Sequence, residues 1–190
     1  MNLLVDNLPT KIKINNKIYE INYDYKTAIN ILQACEDKSL THEDKVFVIV
    51  NNLYKDEIDV EDYYEAVEKA VRFLDCNTKE QNKSTTDKRV YSFTKDGNYI
   101  FTGINQTHHI DLEQTPNLHW WKFVALFLDM GTDCFFSELI YYRKRKLEGK
   151  LTKEEKKKYK ELKEILDLSE ETEIEQDNQA KNDFLKEFYR

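Results

Sequence analysis

The hydrophobic pattern centres on residues 118–128, LHWWKFVALFL, which contain both tryptophans of the chain. Thr115 followed by Pro116 predicts a helix start here, because a hydroxyl side chain caps free N–H groups and proline needs none at the first helical position. The helix would be apolar over most of its circumference, which indicates burial on several sides. His119 is expected at the edge of this core, bonded to a nearby backbone group. The residues predicted to form the core here are Leu118, Trp120, Trp121, Phe123 and Phe127.

Residues 3–25 carry the only clear β pattern. Ile12 and Ile14 alternate with lysines before an Asn-Asn pair at 15–16, and the alternation resumes at Ile18. Because asparagine tolerates the left-handed backbone that tight turns require, the pattern predicts a β-hairpin. An isolated hairpin is only marginally stable in water, so it is expected to pack on helices or pair with another strand.

The next three segments have helical spacing. Apolar positions share one face over residues 25–36, and Thr41 with Asp44 predicts the start of a second helix. The apolar run 46–50 alone would also suit a strand, but the cap before it favours a helix. Asp59 is expected to cap the clearest amphipathic helix in the chain. Its predicted core-facing residues are Val60, Tyr63, Tyr64, Val67, Ala70, Val71 and Leu74.

A polar stretch at residues 77–88 is predicted to be a flexible loop, since it offers nothing to offset its ordering entropy. Beyond it, Thr94 or Asp96 is expected to cap a further helix. Gly131 is expected to end the tryptophan helix, and another helix follows from Phe135.

Thr152 and Glu155 have the spacing of a capping box, which predicts a last core-facing helix. Residues 169–179 are acidic and are predicted to form a linker, followed by a short amphipathic helix over residues 180–190. The predicted fold is therefore mainly α with an α+β element. It consists of a helical domain with an N-terminal β-hairpin over residues 1–168 and a C-terminal appendage.

The composition supports a helical protein with an uneven charge distribution. Four glycines and two prolines among 190 residues provide few of the turns that an all-β protein needs. The net charge is −7, yet residues 143–160 carry ten Lys/Arg against three Glu, and residues 161–190 carry ten Asp/Glu against four Lys/Arg. Such neighbouring segments indicate a solvated, self-complementary surface more than a nucleic-acid site, and a pI near 5.3 points the same way.

Residue types that carry chemistry do not form a recognisable set. The cysteines lack metal-site spacing and are predicted to be reduced thiols: Cys35, Cys76 and Cys134. His108, His109 and His119 match no metal-binding pattern. No catalytic motif is present, so the sequence predicts neither an enzyme nor a bound cofactor or metal. The N-terminus lacks a signal peptide and no run is long enough to span a bilayer, which predicts a cytoplasmic protein with no membrane contact.

Three stretches together resemble a family of small proteins from tailed siphophages and prophages of Gram-positive bacteria. The first is Leu4-Val5-Asp6 with Leu8-Pro9, leading into Ile18-Tyr19-Glu20-Ile21-Asn22. The second is Tyr91-Ser92-Phe93 with Tyr99-Ile100 and Ile110-Asp111-Leu112. The third and most specific is the LHWWKF run, followed by Tyr142-Arg143. The resemblance covers residues 1 to about 145.

The resemblance implies a tail assembly chaperone, similar in gene position to the one of phage lambda. Such a protein would bind the tape measure protein, keep it soluble and help recruit tail tube subunits without catalysis. It would act in the host bacterial cytoplasm and be absent from the mature virion. The alternatives are a structural tail protein retained in the virion and, less favoured, a nucleic-acid-binding phage regulator.

Two groups of residues are candidates for contact with a partner or for self-association. The basic run at 143–146 offers Arg143 and Lys144. The C-terminal segment places three large apolar side chains on one helical face, which suits a partner's groove: Phe184, Leu185 and Phe188.

Overall fold

A computed structural model describes residues 3–77 and 90–168 of the chain. Within these residues two strands precede eight helices. The strands are β1 (Lys11–Ile14) and β2 (Lys17–Glu20). The helices are α1 (Tyr25–Glu36), α2 (His42–Leu53), α3 (Tyr63–Leu74), α4 (Gly97–His108), α5 (Trp120–Leu128), α6 (Phe135–Leu147), α7 (Lys153–Glu161) and α8 (Lys163–Leu166). The predicted class, mainly α with an N-terminal hairpin, is confirmed.

The predicted hairpin forms and is fastened to the helices. β1 and β2 pair antiparallel, with Ile14 opposite Lys17, and Asn15 takes the left-handed conformation in the turn at φ 48°. The Asn15 side chain donates to a carboxylate oxygen of Asp62 at 2.6 Å, and its backbone N–H donates to Glu65 at 3.2 Å. These bonds join the turn to the start of α3, which provides the support that an isolated hairpin lacks.

Side-chain caps fix the first two helices. Asp24 accepts from the backbone N–H of Lys26 at 2.8 Å and so caps α1. At α2, Thr41 and Asp44 bond each other's backbone N–H groups, which makes a capping box. The apolar run 46–50 is therefore helical, as its cap predicted.

Two predicted helix starts are wrong. Thr115 and Pro116 precede a non-helical segment, and α5 begins only at Trp120. Asp59 makes no capping hydrogen bond; its carboxylate pairs with Lys17 at 2.9 Å, and the residues after it form a short 3-10 turn, Val60–Asp62, before α3. In both cases a tertiary contact replaces the local signal.

The core runs through both halves of the described chain. Phe123 of α5 lies at its centre, 1% exposed, stacked on Tyr25 at 4.8 Å between ring centroids and on Trp120 at 5.7 Å. α5 ends at Leu128, so the helix terminates three residues before Gly131, earlier than predicted.

A smaller cluster holds the C-terminal helices. The predicted capping box of Thr152 and Glu155 opens α7. α6, α7 and α8 enclose a second buried cluster, formed by Leu139, Tyr142, Tyr159 and Leu166. The predicted linker at 169–179, the predicted helix at 180–190 and, except for Asn77, the predicted loop at 77–88 lie outside the described residues.

Candidate functional site

His119 begins the tryptophan helix and ties it to the N-terminal segment. Its Nδ1 accepts from the backbone N–H of Trp121 at 3.1 Å, and its Nε2 lies 2.9 Å from the carbonyl oxygen of Pro9. Because a backbone N–H only donates and a carbonyl only accepts, the neutral ring must carry its proton on Nε2. The predicted bond of His119 to a nearby backbone group is confirmed by the N–H of Trp121, which makes the ring the helix cap. The second bond, to Pro9 110 residues away, was not predicted.

The ring of His119 is enclosed by aromatic side chains. Tyr23 stacks on it at 5.2 Å between centroids, and Phe73 approaches edge-on at 5.8 Å. Burial lowers the pKa of His119, Lys122 lowers it further, and the bond to Pro9 opposes both. A proton on Nδ1 would also point at the backbone N–H of Trp121, so this nitrogen could no longer accept its hydrogen bond. The folded protein therefore holds this histidine neutral.

We expect the protein to lose stability as the pH falls below about 6.5. In the unfolded chain His119 takes up a proton there, whereas in the folded chain its lowered pKa delays uptake, so acid favours unfolding. Above about pH 6.5 the contribution is fully present. When the pH is lowered from about 7.5 to about 5.5, the melting midpoint should drop further in the native chain than in the His119→Asn variant. Asparagine can cap the helix but does not titrate. Equal falls in both proteins would contradict this.

The two tryptophans hold the end of α3. The indole N–H of Trp121 donates to the carbonyl of Phe73 at 2.8 Å, and that of Trp120 donates to the carbonyl of Leu74 at 2.9 Å. The last carbonyls of a helix lack the regular partner one turn further on, and the indoles bond two of them. The Phe73 carbonyl also accepts from the backbone N–H of Cys76 at 3.0 Å. Trp120 and Trp121 are 3% and 5% exposed. The structure thus places both indoles in the interior, with Leu118 and Phe127 half-buried beside them.

With α3 fixed in this way, only part of its apolar surface enters the core. The buried side chains are Ala66, Ala70, Phe73 and Leu74. An apolar stripe, defined here as Tyr64, Val67 and Val71 of α3 together with Val60 of the preceding 3-10 turn, lies to one side of them; its three α3 members are about 100° around the helix axis from the buried side chains. Tyr64 is 85% exposed, Val60 79% and Val71 44%, while Val67 is half-buried against the core.

The apolar stripe corrects the prediction that one face of this helix is wholly core-facing. The sequence showed a wide apolar surface, and the structure divides it between the core and the exterior. Ion pairs border the stripe on its far side, where Arg72 pairs with Glu68 one turn earlier. A continuous apolar strip edged by charge matches the surface that an amphipathic helix of another protein would cover.

Arg143 does not belong to the predicted basic surface. It is 3% exposed, and all five of its N–H donors are engaged. Two meet the Asp96 carboxylate at 2.7 and 2.9 Å, and three meet the carbonyls of Leu166 at 2.8 Å, Ile165 at 2.9 Å and Val90 at 3.2 Å. This corrects the expectation that Arg143 contacts a partner, because its guanidinium is fully engaged inside the molecule.

Asp96 is the buried counterpart of Arg143 and stands at the N-cap position of α4, one of the two positions predicted, but its side chain does not cap the helix. It is 0% exposed and makes no capping bond to α4. Its carboxylate instead accepts from the backbone N–H of Ser92 at 2.9 Å and pairs with the guanidinium. No local signal in the sequence distinguishes this aspartate from a cap.

The remaining predicted partner-binding residues are divided by the structure. Lys144 is exposed on α6, next to the buried arginine. Phe184, Leu185 and Phe188 lie outside the described residues.

All three cysteines are free thiols, and each is buried or half-buried. Cys134 is buried and lies 3.3 Å from the hydroxyl of Ser137. Burial raises the pKa of Cys76 to about 12 and also raises that of Cys35, so both are protonated thiols. Among residues 3–77 and 90–168, no group of three or more His, Cys, Asp or Glu side chains is arranged to hold a metal ion. None of the helices in these two ranges is long and apolar enough to cross a membrane.

Comparison with known proteins identifies a family. The model of the family described as "Bacteriophage Gp15 protein" matches residues 4–168, from before the hairpin to just beyond α8. No curated protein and no solved structure matches the chain.

Proposed function

We propose, from the premise that this chain belongs to the bacteriophage Gp15 protein family, that it is a tail assembly chaperone. In this role it binds the tape measure protein in the host bacterial cytoplasm, keeps it soluble and helps recruit tail tube subunits. The activity is binding alone, without catalysis or a cofactor. The protein leaves before the virion is complete.

The observation that carries this proposal is the apolar stripe on α3. Tyr64 and Val71 are seven residues apart, two helical turns, and Val67 fills the space between them. An amphipathic client helix presents apolar side chains at the same i, i+3, i+4 and i+7 spacing, so the two surfaces can bury each other. A long helical tape measure protein offers many such segments, which would otherwise remain exposed before assembly.

The test is co-expression of the chain with the tape measure protein encoded in the same phage or prophage genome. Tyr64→Ser with Val71→Ser should lower recovery of soluble client by at least about tenfold, because two large apolar contacts are lost. The melting midpoint of the variant alone should stay close to that of the native chain, since Tyr64 is largely exposed and Val71 is 44% exposed.

A control removes another exposed apolar residue away from the stripe. Leu128, at the end of α5, is 76% exposed, so Leu128→Ser should leave client recovery unchanged. Equal losses in both variants would show that the stripe has no special part in binding. Stoichiometric recovery of the chain from purified virions, measured by mass spectrometry, would contradict the chaperone and support a structural tail protein.

A further inference from the structure

A cleft between the C-terminal helices is lined by lysines over an apolar floor. It has a volume of about 250 Å³. The residues that line it come from α6, the following loop, α7 and α8, and they are Lys146, Leu151, Lys156, Tyr159, Lys160 and Lys163. We call this site the lysine cleft.

Most of the positive charge at the lysine cleft is not neutralised by the described residues. Lys146 pairs with Asp167 at 3.5 Å and lies over the ring of Tyr159 at 4.5 Å from its centroid. Within residues 3–77 and 90–168, Lys156, Lys160 and Lys163 form no salt bridge. Three ammonium groups around a partly apolar floor suit an acidic peptide that also carries an apolar side chain.

The chain itself supplies such a peptide immediately after the described residues. Between positions 169 and 180 lie five carboxylates and no lysine or arginine: Glu170, Glu171, Glu173, Glu175 and Asp177. Ile174 stands in the middle of them, flanked by Glu173 and Glu175. The sequence alone therefore matches both features of the lysine cleft.

The end of the described chain is also adjacent to the lysine cleft. Asp167 already contacts Lys146, one of the residues that line it. Ile174 follows seven residues later, and an extended chain of that length spans up to about 25 Å. Because the described chain already ends beside the lysine cleft, Ile174 needs only part of that span to reach it.

We propose that residues 170–177 bind the lysine cleft of the same molecule, with Ile174 over Leu151 and Tyr159 and the carboxylates on the lysines. The cleft is then occupied in the isolated protein.

Zero-length carbodiimide cross-linking of the full chain tests this proposal. It joins carboxylates to amines that touch, and mass spectrometry locates each junction. The expected junctions join Glu173 and Glu175 to Lys160 and Lys163, with few at Lys144. In a mixture of unlabelled and ¹⁵N-labelled protein, each junction should join two peptides of the same label. Junctions that join a labelled to an unlabelled peptide, at the frequency expected for random pairing, would assign the occupant to a second copy and overturn the proposal.

Two double charge reversals, one inside the lysine cleft and one outside it, test whether the cleft itself holds the tail. Lys156→Glu with Lys160→Glu leaves Lys163 as a reporter, and its junctions to the tail should fall by about tenfold. Lys144→Glu with Lys157→Glu makes the same charge change outside the cleft and should leave them unchanged. Ile174→Ser should also lower them. Junctions spread evenly over the exposed lysines, or lost equally in both double variants, would overturn the proposal.

Discussion

Replacing Trp121 with alanine is expected to lower the free energy of unfolding by about 3–5 kcal/mol. The indole is 5% exposed and lies 5.9 Å from Phe73 between ring centroids, so the substitution leaves a large cavity. It also removes one of the hydrogen bonds to the carbonyl of Phe73 near the end of α3, and leaves the one from the backbone N–H of Cys76. Urea denaturation followed by circular dichroism measures the loss.

The Trp121→Phe variant separates the effect of the lost ring volume from the effect of the lost hydrogen bond to Phe73. It retains much of the ring volume but cannot donate to the Phe73 carbonyl, so its cost should be smaller than that of Trp121→Ala. An unchanged melting midpoint in Trp121→Ala, together with lost partner binding, would move this tryptophan from the core to an interface.

The elements that the sequence predicts well are those with a complete local signal. Thr41 with Asp44 and Thr152 with Glu155 each contain both halves of a capping box, and both helices start where expected. The Asn-Asn turn likewise needs only the conformational tolerance of its own residues. Short-range chemistry is sufficient to place these caps and this turn, although the hairpin as a whole is also held by Asp62 and Glu65, which are distant in sequence.

The start of α5 shows where local signals fail. Thr115 and Pro116 provide a plausible cap and first position, yet His119 caps the helix instead. The ring is held there by the Pro9 carbonyl and by Tyr23, both far away in the sequence. A cap that depends on tertiary contacts leaves no pattern within its own segment.

The apolar stripe was missed for a different reason. Helical periodicity gives the width of an apolar surface but not which part of it the rest of the chain covers. Only the position of α3 against the core shows that Ala66 and Ala70 are inside while Tyr64 is outside. Arg143 poses the same difficulty, because its neighbours are exposed cations and its anionic partner lies 47 residues away.

Arg143→Met is expected to lower the free energy of unfolding by about 3–5 kcal/mol. The substitution leaves the Asp96 carboxylate buried without its counterion and leaves the carbonyls of Leu166, Ile165 and Val90 without their donor. A typical domain has only about 5–15 kcal/mol of stability, so the variant should unfold at far lower urea concentration. Urea denaturation measures the midpoint directly.

The neighbouring residue provides the control, and a double variant identifies the cause. Lys144 is exposed, so Lys144→Met removes the same charge and introduces the same side chain, and it should alter stability by no more than about 0.5 kcal/mol. Asp96→Leu combined with Arg143→Met removes both buried charges and should recover part of the loss, though not all of it, because the three carbonyls stay unpaired. If the double variant is less stable than Arg143→Met by the full cost of a second lost contact, the unpaired carboxylate is not the source of the instability. A stable Arg143→Met protein would instead show that the guanidinium is not essential to how α4, α6 and α8 are held together.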